Sequence, residues 1–228
     1  MADIYKTGGE FVAIMVNKTY NELRGKREGQ INWHIRKIKA DIRRVINELE
    51  IPRWDVCEEK SEEIKNLAKE NLKSLKEKLT LAIKALEDSG YEYHLDRVAQ
   101  RVTEFNEELE VLSEVVLKYG CAETGYKTIK AEIDKSIVKL TLSENFLECK
   151  ISTIDKTEFI NALKNLSIGE WKRNYDLSEY GYCYLDGESW CLTFYFLNGE
   201  SRVFGGKSMY PYNFQGLLSL MGVENKLL

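Results

Sequence analysis

Between Gln30 and Tyr119 the apolar residues recur at steps of three and four. Ile31, Ile35, Ile38, Ile42, Val45 and Leu49 form one stripe. Ile64, Ala68, Leu72, Leu75, Leu79, Ala82 and Leu86 form a second, and Leu95, Val98, Val102, Phe105, Leu109, Leu112 and Val116 a third. Alternating steps of three and four keep one stripe on one side of a slightly supercoiled helix. The pattern predicts three amphipathic helices. Ser61, followed by Glu62 and Glu63, suits the start of the second helix, where a side-chain oxygen and negative charge meet the exposed N–H groups. Gly90 and Gly120 follow the second and third stripes, where a left-handed residue ends a helix. The short link Ser89-Gly90-Tyr91 predicts that the second and third helices fold back on each other. The longer link Pro52 to Lys60 carries Trp54 and Val56, which are expected to cover the bundle end. Helices of about 25 residues are roughly 40 Å long, so the first helix is expected to complete a three-helix bundle. Glu10 to Leu23 suits helical spacing, although Phe11–Val16 reads equally as a buried strand.

Past Gly120 the period changes from helical to alternating. Ile137–Leu142 and Phe146–Ile151 read as strands around a turn at Ser143-Glu144-Asn145. A short helix is expected over Lys156–Leu166, capped by Asp155, with Phe159, Ile160, Leu163 and Leu166 inward. Asp186-Gly187 and Asn198-Gly199 are turn dipeptides that accept positive φ. They predict a meander of Gly181–Leu185, Glu188–Leu197 and Glu200–Gly205, with Trp190, Leu192, Phe194 and Phe196 on one face of its middle strand. Pro211 introduces a last helix through Phe214, Leu217, Leu218 and Met221. The fold class that follows is α+β. An antiparallel helical bundle or coiled-coil hairpin over residues 1–120 precedes a small domain over 121–228, with an antiparallel sheet and two short helices.

Composition narrows the function classes. The 228 residues are 43% hydrophobic and 31% charged, with a net charge of −4, so no class of charged partner is implied. No apolar run reaches the roughly 20 residues of a membrane span, and the first residues lack a basic segment leading into an apolar one. A cytoplasmic protein is expected. The cysteines Cys57, Cys121, Cys149, Cys183 and Cys191 are odd in number and scattered. They read as reduced thiols, although Cys183 and Cys191 flank a predicted turn within reach of a cross-strand pair. His34 and His94 are the only histidines, and neither stands near a cysteine pair, so no zinc site or other cofactor is expected.

Charge is sorted along the arm. Arg24 to Arg44 is basic, and Arg36, Lys37, Lys39, Arg43 and Arg44 make a candidate face for nucleic acid or an acidic partner. Glu104 to Glu114 is acidic, and the two stretches are expected to complement each other within the molecule. Aromatic residues crowd the C-terminal part: Trp171, Tyr175, Tyr180, Tyr182, Tyr184, Trp190 and Tyr195. Large rings bury area efficiently in a small core; left exposed, they make hot spots for a partner or stack bases. Tyr180, Tyr182, Tyr184 and Tyr195, with Arg202 and Lys207, are therefore the candidate partner-binding residues.

Leu185-Asp186-Gly187-Glu188-Ser189-Trp190, then Asn198-Gly199, Gly205-Gly206 and Tyr210-Pro211-Tyr212-Asn213-Phe214 resemble a short module of uncharacterised proteins of Firmicutes and their mobile elements. The resemblance spans residues 168–222. It implies a strand-rich unit with a closing helix and brings no activity with it. A helical arm on such a module looks like a phage or mobile-element accessory protein.

The chemistry-bearing motifs are missing. Gly205-Gly206-Lys207-Ser208 lacks the earlier glycine of a P-loop, and neither GxGxxG nor GxSxG occurs. Asp186 and Glu188 form a carboxylate pair on a predicted hairpin tip, which offers no cleft to separate their pKa values. The expectation is a non-catalytic interaction or regulatory protein that binds another protein, for example a phage inhibitor of a bacterial defence complex such as a CRISPR nuclease. A nucleic-acid binder and an enzyme with an unrecognised site are the alternatives. A homodimer through the helical stripes is a further expectation.

Overall fold

The computed structural model describes residues 18–51, 58–144, 147–181 and 187–223. The strand-or-helix question at Phe11–Val16, the linker residues Trp54 and Val56, Cys57, Phe146, Tyr182, Cys183, Tyr184 and Asp186 lie outside them. The fold is α+β. It divides into two compact units, Met1–His94 and Leu95–Leu228. That boundary falls inside the region expected to be one helical bundle over residues 1–120.

The first unit is a hairpin of two helices, α1 (Glu28–Glu50) and α2 (Glu58–Asp88), preceded by helical residues 18–23. The Gln30 side chain accepts from the Arg27 N–H at 3.4 Å at the start of α1, and Glu28 in the first turn suits the positive end of the dipole. Helix α2 starts a turn earlier than Ser61, so Ser61 lies inside it rather than capping it. Leu23, Ile31 and Ile35 pack with Ala82, Ala85 and Leu86 in a closed cluster. The alanines let the two backbones approach, and each large aliphatic there contributes about 1.5–3 kcal/mol by leaving water. Tyr20, Tyr91 and Tyr93 flank this cluster, and Tyr20 donates its hydroxyl proton to Asp88. Gly90 ends α2 in the left-handed region at φ 83°, as its position predicts. Outside the stripes two large apolar side chains stay in solvent: Leu67 is 61% exposed and Trp33 58%.

The second unit opens where the third helix was expected. Helix α3 runs only from Arg97 to Glu108, and after a single 3₁₀ turn the chain becomes strand β1 (Leu112–Cys121). Asp96 caps α3 by accepting from the Val98 and Ala99 N–H groups at 3.1 and 2.9 Å. Phe105 and Leu109 are buried as a helical stripe requires. From Leu112 on, Val115 and Leu117 are the buried positions, which is an alternating pattern. Leu112 and Val116 fit the helical spacing by coincidence. Gly120 is not a helix terminator but a strand residue at φ 142°, where a Cβ would strike the Gly125 carbonyl oxygen.

The strands that follow are β2 (Gly125–Ile133), β3 (Ile137–Glu144), β4 (Leu147–Asp155), β5 (Asn174–Asp176), β6 (Ser189–Phe196) and β7 (Ser201–Lys207). They form one sheet in the order β4-β3-β2-β1-β6-β7-β5. All neighbours are antiparallel except β5 and β7. Strand β6 therefore lies between β1 and β7; the strand expected over Gly181–Leu185 falls, apart from Gly181, outside the described residues. The expected β3, β4 and β6 to β7 pairing are present, with Gly199 at φ 83° in the tight turn.

Helix α4 (Lys156–Asn165) is capped by Asp155, which accepts from the Glu158 N–H at 3.0 Å. Helix α5 (Phe214–Leu220) closes the unit. Phe105 of α3 packs edge-on against Phe194 at 5.1 Å between centroids, and Phe214 of α5 lies tilted against Trp190 at 4.6 Å. These helices cover one sheet face, formed by Val115, Leu117, Ile129, Ala131, Val138, Leu140, Leu192 and Phe194, all fully or almost fully buried. At Gly206 the Trp190 ring occupies the space of a side chain. A Cβ there would stand 2.5 Å from its Nε1 and 2.7 Å from the Met209 carbonyl oxygen.

Candidate partner-binding groove

The aromatic crowding is mostly core. Trp171, Tyr175 and Trp190 are 2%, 1% and 4% exposed. Their polar atoms are satisfied inside: the Trp190 Nε1–H donates to the Met209 carbonyl and the Trp171 Nε1–H to Asn213 Oδ1, both at 2.9 Å. The Tyr175 hydroxyl accepts from the Lys172 N–H at 3.1 Å. Tyr195 remains half-exposed on the uncovered sheet face, and Tyr180 at the end of a 3₁₀ turn after β5. Tyr182 and Tyr184 are outside the described residues.

Strand alternation separates the other candidates. Tyr195 pairs with Ser201, and Arg202 with Phe194, so Arg202 shares the helix-covered face while Tyr195 is on the opposite one. Lys207 pairs with Ser189 at the far end of the ladder. These residues do not form one patch. The uncovered face is largely polar: Lys130 bridges Glu114 at 2.9 Å and Glu132 at 2.8 Å, which holds the Glu132 carboxyl below its ordinary pKa.

The basic residues of α1 are partly engaged at home. Lys39 Nζ donates to the Tyr93 hydroxyl at 2.6 Å, Lys37 sits over the Trp33 ring at 5.5 Å, and Arg44 pairs with Asp41. Three carboxylates of the acidic stretch have partners within their own unit. Glu108 pairs with Arg202, Glu110 with Lys164, and Glu114 with Lys130. Cys121 and Cys191 are free thiols. His34 packs edge-on against Trp33 at 5.0 Å, and His94 is exposed. Among the described residues no group of three or more His, Cys, Asp and Glu side chains is placed to hold a metal ion.

Arg202 leads to the feature that spacing alone did not reveal. Its guanidinium meets the Glu108 carboxylate with two nitrogens, Nε at 2.9 Å and Nη2 closer, and this contact raises its pKa. Arg202 is part of a groove of about 270 Å³ lined by Arg101 and Glu104 of α3, by Gly169 and Arg173, and by residues 201–204 of β7. Phe105, Trp171 and Phe204 form its apolar part. A Cβ on Gly169 would lie 2.6 Å from the Val102 Cα, so its glycine lets the 3₁₀ turn at Ile168–Glu170 sit directly against α3. Arg101 and Arg173 are exposed and make no ion pair among the described residues. The wall thus presents two guanidinium groups that have no ion pair among the described residues, beside the neutralised Arg202 and the exposed carboxylate of Glu104. Arg101 lies far from Arg173 and Arg202 in sequence, which hid it from a reading by charge runs.

Compared with protein-family models, with curated proteins and with solved structures, the chain matches none. No described helix is long and apolar enough to cross a membrane.

Proposed function

We propose that this chain is a non-catalytic protein-binding protein of the cytoplasm, and that its groove between α3 and β7 docks an acidic segment of the partner. The observation that carries this is Arg101 and Arg173, two exposed guanidinium groups with no ion pair among the described residues, over an apolar floor. Guanidinium forks match carboxylates with two parallel hydrogen bonds, and apolar contact beneath them adds the desolvated centre that effective interfaces need. A volume of about 270 Å³ is below the range of pockets that enclose a drug-sized ligand and suits a few side chains of a longer segment. The free thiols Cys121 and Cys191 agree with a reducing compartment. The narrower expectation of a defence-complex inhibitor rests on the resemblance of residues 168–222, the small size, the acidic balance, the helical arm and the missing catalytic motifs, and adds no contact to this reading.

Affinity purification from the native host, with the wild-type chain and the Arg101→Glu/Arg173→Glu variant side by side, tests the proposal. A partner captured by the wild type should be lost from the variant while the variant keeps its melting temperature. Capture of the same proteins by both chains would reject the groove as the docking site. The nucleic-acid reading is tested by the same pair of chains on labelled single-stranded oligonucleotides. Binding that weakens steeply with salt and survives the double variant would favour the basic face of α1.

A further inference from the structure

Among the described residues part of the sheet edge beside the groove has no neighbouring strand. Strand β7 has seven residues, but β5 pairs only with Gly205, Gly206 and Lys207. The Phe196 N–H donates to the Glu200 carbonyl at 3.1 Å, and the Ser208 N–H to that of Glu188 at 2.8 Å. In an antiparallel ladder such bonded pairs alternate with unbonded ones, so even-numbered residues of β7 bond to β6 and odd-numbered ones turn their backbone away. Gly205 obeys this rule, its N–H donating outward to the Arg173 carbonyl at 3.0 Å. Ser201 and Val203 obey it too, and among the described residues no strand lies beside them. Just before β5 the chain carries the buried Trp171. The stretch without a neighbouring strand and the two arginines belong to one place, since Ser201, Val203, Arg101 and Arg173 all line the groove.

We infer that the groove takes its acidic partner as an added strand: an extended segment hydrogen-bonded to the outward backbone of Ser201 and Val203, with carboxylates on alternate residues reaching Arg101 and Arg173. This rests on the groove reading above and goes beyond it in naming the conformation and the backbone contacts. Edge addition draws affinity from main-chain bonds and specificity from alternate side chains, and a three-residue β5 leaves room for a short strand. A second copy of this chain is a poorer occupant. Pairing two such edges would bring each copy's Arg101 and Arg173 towards the other's, and like charges so placed oppose association.

The probe is a fluorescein-labelled, acetylated hexapeptide of alternating Glu and Val, titrated by anisotropy against the full chain. Its counterpart with Lys for Glu, and a version with alternate backbone nitrogens methylated, are the controls. The acidic peptide should bind, the basic one should not, and methylation should weaken binding about tenfold or more, as loss of main-chain bonds requires. Val203→Pro should weaken it comparably, because proline removes an outward N–H that an edge position can spare. Amide exchange at Ser201 and Val203 should slow on binding. If Val203→Pro fails to fold, the methylated peptide and the exchange rates decide. Binding that needs Arg101 and Arg173 but ignores methylation and Val203→Pro would overturn the added strand and leave the groove standing. No acidic binding, or binding unchanged in Arg101→Glu/Arg173→Glu, would overturn both. A dimer lost in Val203→Pro, or tighter binding of a single-stranded oligonucleotide to the same residues, would also overturn the inference.

Discussion

The two units solve the same burial problem with different materials. The hairpin buries a narrow strip of aliphatic residues and alanines, and leaves Leu67 and Trp33 exposed. The sheet unit has two layers and an aromatic interior, in which Trp171, Trp190, Phe204 and Phe214 contact one another ring to ring. A two-helix strip can relax around a deletion, because solvent already borders it. A ring enclosed by a sheet on one side and helices on the other cannot, so the cost of a change should depend more on the unit than on the size of the residue.

The largest effect is expected from Leu109→Asp. Leu109 is fully buried in the sheet unit, and an unpaired charge there costs more than about 4 kcal/mol. Near-ultraviolet dichroism should collapse while the far-ultraviolet helix signal of the hairpin persists. Loss of both signals together would show that the hairpin depends on the sheet unit. Trp190→Ala should lower stability by about 3–5 kcal/mol in chemical denaturation. Ile35→Ala in the hairpin should cost about 2 kcal/mol, the low end for an aliphatic deletion; a larger loss would erase the contrast between the units. Arg202 and Glu108 should show a coupling of about 1 kcal/mol in a double-mutant cycle, since water still reaches the arginine.

The smallest expected effect is alkaline. Burial raises the pKa of Tyr210, and its hydroxyl donates to Glu188 at 3.0 Å. A folded pKa above the unfolded value means this contribution is complete below about pH 10 and falls away as pH rises beyond it. Tyr210→Phe should flatten that part of the stability profile.

How legible each unit was follows from the range of its contacts. The stripes of α1 and α2 are written within a few residues of each other, so their spacing shows directly in the chain. The same holds for the Asp155 cap and the Asn198-Gly199 turn. Strand β1 was hidden because its partners are remote: the Ser113 hydroxyl donates to the Tyr195 carbonyl at 2.8 Å across a separation of 82 residues. Without that partner in view, Leu112 and Val116 continue the helical count, and tertiary pairing overrides it. The same distance hid the groove. Arg202 was singled out for its nearness to aromatic residues, but its working neighbours Glu108, Arg101 and Arg173 come from other segments. Tyr195 shared its sequence neighbourhood and faces the other way, as strand alternation dictates.

Trp190 and the Met209 backbone together hold position 206 to one choice. The indole fills the volume a side chain at 206 would need and rests its N–H on the Met209 carbonyl behind it. A methyl gained at 206 would meet both the indole and the Met209 backbone carbonyl, so a smaller ring at 190 would not by itself admit it. Position 206 should therefore stay glycine in related sequences for as long as the turn at Met209 keeps its place.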